Sequence, residues 1–120
     1  MTKEEAWKFA NHWVDAWNSH DLDVIMTHYD GAVELVSPVA ARILEVAGGK
    51  VTGKASLRAY FRRGLDVYPD LHFTLKEVFW GMSSVVLYYT NQVGTSSAEF
   101  MELLETGKVA RVVANYNGKD

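Results

Sequence analysis

The sequence predicts an α+β domain with its helices first and an antiparallel meander after them, and three observations carry this. Apolar residues recur every three or four positions along much of the first 68 residues, the spacing of a buried helix face. From Leu71 onward the period changes to alternation, with Leu71, Phe73 and Leu75 set against His72, Thr74 and Lys76. The strands of that second half are joined by short turns. Helices followed by a run of hairpins make α+β rather than alternating βαβ.

Thr2 and Glu5 form a capping-box pattern, so the first helix starts there and carries Ala6, Phe9, Ala10, Trp13, Ala16 and Trp17 on one stripe. Asn18 to His20 ends it. Asp21 caps a second helix that buries Leu22, Ile25, Met26 and Tyr29, and Asp30-Gly31 reads as its stop and turn. Ala32 to Val36 is the first strand. Pro38 cannot donate to a ladder, so a loop is expected from there through Gly48-Gly49, with Arg42 exposed or looking back at the pocket. Gly53 leads into a third helix lined by Leu57, Tyr60, Phe61, Leu65 and Tyr68, stopped by Pro69. Beyond the strand that begins at Leu71, strands are expected over Val85 to Val93, Ala98 to Leu104 and Val109 to Tyr116, with turns at Gly81 to Ser84, Gly94 to Ser97 and Thr106-Gly107.

Composition sets bounds on function. A chain of 120 residues fits a single domain spanning 1–120, able to bury roughly two thirds of its unfolded surface. With 48% hydrophobic and 22% charged residues it is neither disordered nor built to span a bilayer. A net charge of −3 leaves no footprint for nucleic acid. The N-terminus has no secretory pattern, so a cytoplasmic location is expected. Without cysteine there is neither a disulfide framework nor a thiolate nucleophile. The eight-residue gaps between His12, His20 and His28 suit no metal motif, and these three with His72 read as solvated surface groups. No metal and no cofactor is implied. Lys54, Arg58, Arg62 and Arg63 read as a solvated basic face, and Gly48-Gly49-Lys50 lacks the spacing of a phosphate loop. Both faces of Val85 to Val93 are apolar or aromatic, which predicts a homodimer through the outer face of the sheet.

The run W-x3-W-N-x2-D-L-D at Trp13 to Asp23, the strand ending in Ser37-Pro38 and the Gly53-Lys54 helix entry give the chain a resemblance to the nuclear transport factor 2-like superfamily, in its SnoaL-like and ketosteroid isomerase-like branch. The likeness runs from Trp13 through Tyr116. It implies a cone-shaped roll of three N-terminal helices packed on a strongly curved, mainly antiparallel β-sheet, enclosing an apolar pocket. Such folds host isomerases, cyclases, hydrolases and non-catalytic domains, so likeness fixes architecture rather than activity. Where the ketosteroid isomerases place a helix-one tyrosine, an aspartate base and an oxyanion-hole aspartic acid, this chain has Trp13, Ser37 and Glu99. Tyr29 and Phe61 fall where that branch sets further aromatics. A serine hydroxyl without a base of its own cannot abstract a carbon-bound proton. The limonene epoxide hydrolase-like aspartate position is Ala114, so neither activity carries over.

The expected pocket is lined by Trp13, Trp17, Tyr29, Ser37, Tyr60, Phe61, Phe73, Met101, Val112, Ala114 and Tyr116, with Glu99 as the candidate catalytic group. Each has a plainer reading. The tryptophans are core residues or ligand contacts. Ser37 either serves the Pro38 turn or faces the pocket. Glu99 either sits at an exposed edge or pairs with Arg111 or Lys76, or else it points inward with a raised pKa. The pocket is expected to take a small hydrophobic or aromatic molecule. As an enzyme the protein would be a cofactor-independent isomerase, cyclase or dehydratase; the alternatives are a non-catalytic binder and a homo-association domain.

Overall fold

The computed structural model describes residues 1–118. Its elements run α1 (Lys3–Ser19), α2 (Leu22–Met26), β1 (Tyr29–Val36), α3 (Pro38–Leu44), β2 (Lys50–Thr52), α4 (Lys54–Val67), β3 (Thr74–Trp80), β4 (Ser84–Thr90), β5 (Ser96–Leu103) and β6 (Val109–Tyr116). The strands form one curved sheet in the order β2-β1-β6-β5-β4-β3. Every pairing is antiparallel except β1 with β6. The α+β architecture expected from the sequence is present, with N-terminal helices over a mostly antiparallel sheet.

The local signals act as anticipated at the helix starts. Thr2 and Glu5 close the reciprocal capping box of α1. Asp21 accepts from the Asp23 and Val24 amides to cap α2. The rest of the tryptophan motif is anchorage. Asn18 clamps the peptide of Phe73, donating Nδ2–H to its carbonyl at 2.9 Å and accepting its N–H at 2.7 Å. His20 sits 2.7 Å from the Leu71 carbonyl, and Asp23 takes Arg58 of α4 at 2.6 Å.

Five expectations are corrected. The presumed loop after Pro38 begins with a fourth helix, α3. Proline at its first turn sacrifices only an N–H that has no helical partner, and Ser37 caps it by accepting from the Val39 amide at 3.1 Å. A short strand, β2, pairs Lys50–Thr52 against Val36–Glu34. Tyr29 opens β1 instead of closing α2, and a register shift between Tyr29 and Glu34 absorbs Asp30-Gly31. Leu71 and Phe73 precede β3, because the Asn18 clamp and the His20 contact occupy backbone groups that a ladder would use. The strand expected to reach Val93 stops at Thr90, where the Asn91 side chain accepts from the Val93 and Thr95 amides and closes a turn.

Two of the histidines are likewise not solvated. His20 holds the Leu71 carbonyl, and His28 is half-buried with its ring edge-on to Phe9. Burial pushes the His28 imidazole down from its ordinary pKa. No helix among the described residues is long and apolar enough to cross a membrane.

The core lies between the helices and the inner face of the sheet, where Ile25, Val33, Leu57, Val85, Leu87, Met101, Val109 and Val112 are fully buried. The outer face carries an in-register apolar row across five strands. Val36 pairs with Val113, Val113 with Phe100, Phe100 with Val86 and Val86 with Phe79. Phe79 is 59% exposed. Arg111 pairs with Glu102 at 3.2 Å and lies over the Phe100 ring, bordering the row with charge.

Candidate functional site

A cavity of about 460 Å³ opens between α1, α3, α4 and the inner face of β4 to β6. Of the residues singled out from the sequence, it brings together Trp13, Trp17, Ser37, Tyr60, Phe61, Phe73, Glu99, Ala114 and Tyr116. Three others do not reach it. Tyr29 is turned away, its hydroxyl accepting the Trp13 indole N–H at 3.0 Å and its ring edge-on to Phe61. Met101 and Val112 share the inward parity of Glu99 and Ala114 but face one another two residues farther along, fully buried in the packed part of the core.

One wall is aromatic. Trp13 stacks on Phe73 with centroids 5.7 Å apart and planes 10° from parallel, Trp17 meets the edge of Phe61 at 4.6 Å, and Tyr89 contacts both Trp13 and Phe73. Trp13 and Trp17 stand one turn apart on α1, so both indoles reach the same wall. The Trp17 indole N–H is buried without a hydrogen-bond partner in the protein. Such a group is costly in a closed core.

Set into this wall is Glu99. It is 7% exposed and accepts the Tyr89 hydroxyl proton at 2.5 Å. Its place follows from sheet register: Leu87 on β4 and Ala114 on β6 flank it directly, and Tyr89 lies two positions diagonally across. Small Ala114 leaves the carboxyl open to the cavity. Neither Arg111 nor Lys76 reaches it, since Arg111 is spent on Glu102 across the outer face. Desolvation therefore dominates and raises the Glu99 pKa from 4.5 to about 7, the Tyr89 hydrogen bond opposing it only in part. The buried charge acts outward as well, adding to burial in pushing the Tyr29, Tyr89 and Tyr116 hydroxyls up.

The other wall is polar. Ser37 is both turn and wall, capping α3 while lining the cavity. It is fixed by a backbone bond from its N–H to the Gly49 carbonyl at 3.0 Å. Gly49 has φ +62°, and a Cβ there would fall 2.2 Å from the Ser37 carbonyl oxygen, so no other residue fits without displacing this wall. Tyr60 stands beside Ser37, its hydroxyl pushed up to about 12 chiefly by burial, with Ser37 pulling it back. At the lip, Arg42 of α3 donates to the Tyr68 hydroxyl at 2.8 Å.

Sequence reasoning missed Tyr89 and Ser97 among the lining residues; Arg42, expected to be exposed or to look back at the pocket, does line it, and its partner Tyr68 was not foreseen. Tyr88 and Tyr89 are adjacent in a strand apolar on both faces, so alternation alone does not say which points inward. The parity of Glu99, had the β4–β5 register been known, selects Tyr89. Among the described residues no cluster of three or more His, Cys, Asp or Glu could hold a metal ion.

The family model of the SnoaL-like domain matches residues 10–116. A SnoaL-like protein of unknown function from Burkholderia thailandensis is 35% identical, with 98% of each chain covered and a TM-score of 0.92. Two more distant structures share the fold. TerC, co-crystallised with polyporic acid, is 16% identical over 93% of this chain and 91% of its own, with a TM-score of 0.76. A nuclear transport factor 2-like protein of unknown function from Cytophaga hutchinsonii is 11% identical over 93% and 89%, with a TM-score of 0.69. None of the curated proteins matches. Family match, identity and superposition agree, and the chain belongs to the SnoaL-like domain family of the nuclear transport factor 2-like superfamily.

Proposed function

We propose that the cavity takes a small hydrophobic or aromatic molecule and that Glu99, partly protonated at neutral pH, is its polar anchor. The observation that carries this is a carboxyl buried in an aromatic wall and facing open space, with a pKa raised to about 7 by desolvation. A neutral carboxylic acid in such a place donates a hydrogen bond to a carbonyl or phenol oxygen. A group poised near neutrality also transfers protons efficiently in either direction. The chemistry that fits is cofactor-independent isomerisation, cyclisation or dehydration, with Glu99 as the acid and the aromatic wall orienting the substrate. Ser37 supports the non-catalytic reading instead: its hydroxyl is engaged as the α3 cap and has no base beside it.

Calorimetric titration with 2-acetonaphthone, a ketone that can only accept a hydrogen bond, distinguishes an anchor from a bystander. Wild-type binding is expected to weaken as pH rises through about 7, where Glu99 loses its proton. Glu99→Gln keeps most of the affinity and loses that pH dependence, and Glu99→Leu weakens binding by roughly 1–3 kcal/mol. Equal affinity in all three proteins would overturn the assignment.

The outer face supports pairing of two copies. Its row from Val36 to Phe79 is apolar, in register and bordered by charge, the pattern of a self-complementary patch. Sedimentation is expected to give a dimer at micromolar concentration, and Val86→Lys a monomer, since a lysine there would be buried unpaired. A wild-type monomer at that concentration excludes the pairing.

A further inference from the structure

We propose that the ligand is an organic anion: its apolar body lies on the aromatic wall near Glu99, and its acidic group sits at the lip on the Arg42 guanidinium, beside the hydroxyls of Tyr60, Tyr68 and Tyr116. This rests on the cavity reading above and names the class of molecule it admits.

Arg42 is the one basic residue among the described lining residues, and its known partner is a neutral hydroxyl, Tyr68 at 2.8 Å. The ion pairs among the described residues are Lys50–Glu34, Arg58–Asp23 and Arg111–Glu102, all elsewhere. Asp70, also at the lip, is not within ion-pairing distance of Arg42.

The two charged groups occupy opposite ends. Tyr60 and Tyr116 each feel both Glu99 and Arg42, the first raising and the second lowering their pKa values. Glu99 itself feels only burial and Tyr89. Glu99 is 7% exposed in the aromatic wall while Arg42 is exposed on α3, and no ion pair joins them. Each is therefore free to meet a ligand. An elongated ligand engages both ends at once. A carboxylate or acidic enol receives the planar guanidinium fork and adjacent hydroxyls, while a carbonyl or hydroxyl at its far end meets protonated Glu99.

The test compares 2-naphthoic acid with the isosteric 2-naphthamide, alongside 2-naphthol, by calorimetry at low salt on the acid side of the Glu99 titration. The acid is expected to bind about tenfold more tightly than the amide, a ratio typical of one charge-assisted hydrogen-bonded pair. Arg42→Gln should erase that ratio by weakening the acid alone, whereas Arg42→Lys, which keeps the charge and loses the fork, should retain part of it. Because Arg42 is exposed on its helix, neither variant threatens folding. Binding of naphthol and amide with no preference for the acid, or a preference that survives Arg42→Gln, overturns the inference and leaves the cavity reading standing. Binding of none of the three overturns both.

Discussion

Trp13→Ala is expected to lower the unfolding free energy by about 3–5 kcal/mol, the cost typical of truncating a large buried aromatic. Trp13 is 1% exposed although it borders the cavity. Its other surfaces are occupied: Phe73 stacks on it, Trp17 and Tyr89 lean against it at 6.2 and 5.4 Å, and Tyr29 receives its N–H. The truncated site cannot collapse, because those neighbours are held by α1, by the Asn18 clamp on Phe73 and by β4. The Tyr29 hydroxyl would also lose its indole donor in a buried setting, which adds to the loss. Urea melts decide the matter, provided the slope is unchanged. A cost under about 1 kcal/mol would show that Trp13 is wall rather than core. Trp13→Phe and Tyr29→Phe, separately and together, then isolate the hydrogen bond: the double variant should cost less than the sum of the singles.

How much of this was legible beforehand depended on the range of each interaction. The caps at Thr2 and Asp21, the α1 stripe and the β6 boundaries are set by residues a few positions apart, and the sequence shows them directly. The parity of Glu99 emerged only through the family likeness, because a glutamate between Ala98 and Phe100 has no local pattern to orient it. Features that depend on distant partners were hidden. Nothing near Leu71 and Phe73 announces that Asn18, more than fifty residues earlier, will take the backbone groups of Phe73. Pro38 is an obstacle to a strand, yet the same residue is favourable at the first turn of a helix once Ser37 can cap it. The cavity itself is a gap between elements, and Arg42 reaches it only because α3 exists.

Glu99→Gln should stabilise the protein at alkaline pH and do little at acid pH. A carboxyl whose pKa is 4.5 unfolded and about 7 folded holds its proton more tightly in the native state. Its favourable contribution is therefore fully present below pH 4.5, shrinks as the unfolded chain ionises, and is gone once pH has risen through about 7. At about 1.4 kcal/mol per pH unit, the wild type loses about 3 kcal/mol across that window. Glutamine cannot ionise, and its amide oxygen can still accept the Tyr89 hydroxyl proton, so the variant escapes the loss without leaving Tyr89 unpaired. Chemical melts at a series of pH values should show the two stability curves together near pH 4 and separated by about 3 kcal/mol near pH 8. Tyr89→Phe, which removes the one hydrogen bond favouring the ionised form, should move the wild-type decline to a higher pH. Parallel curves over the whole range would mean that Glu99 is solvated when ionised, and the buried acid on which the cavity reading depends would not exist.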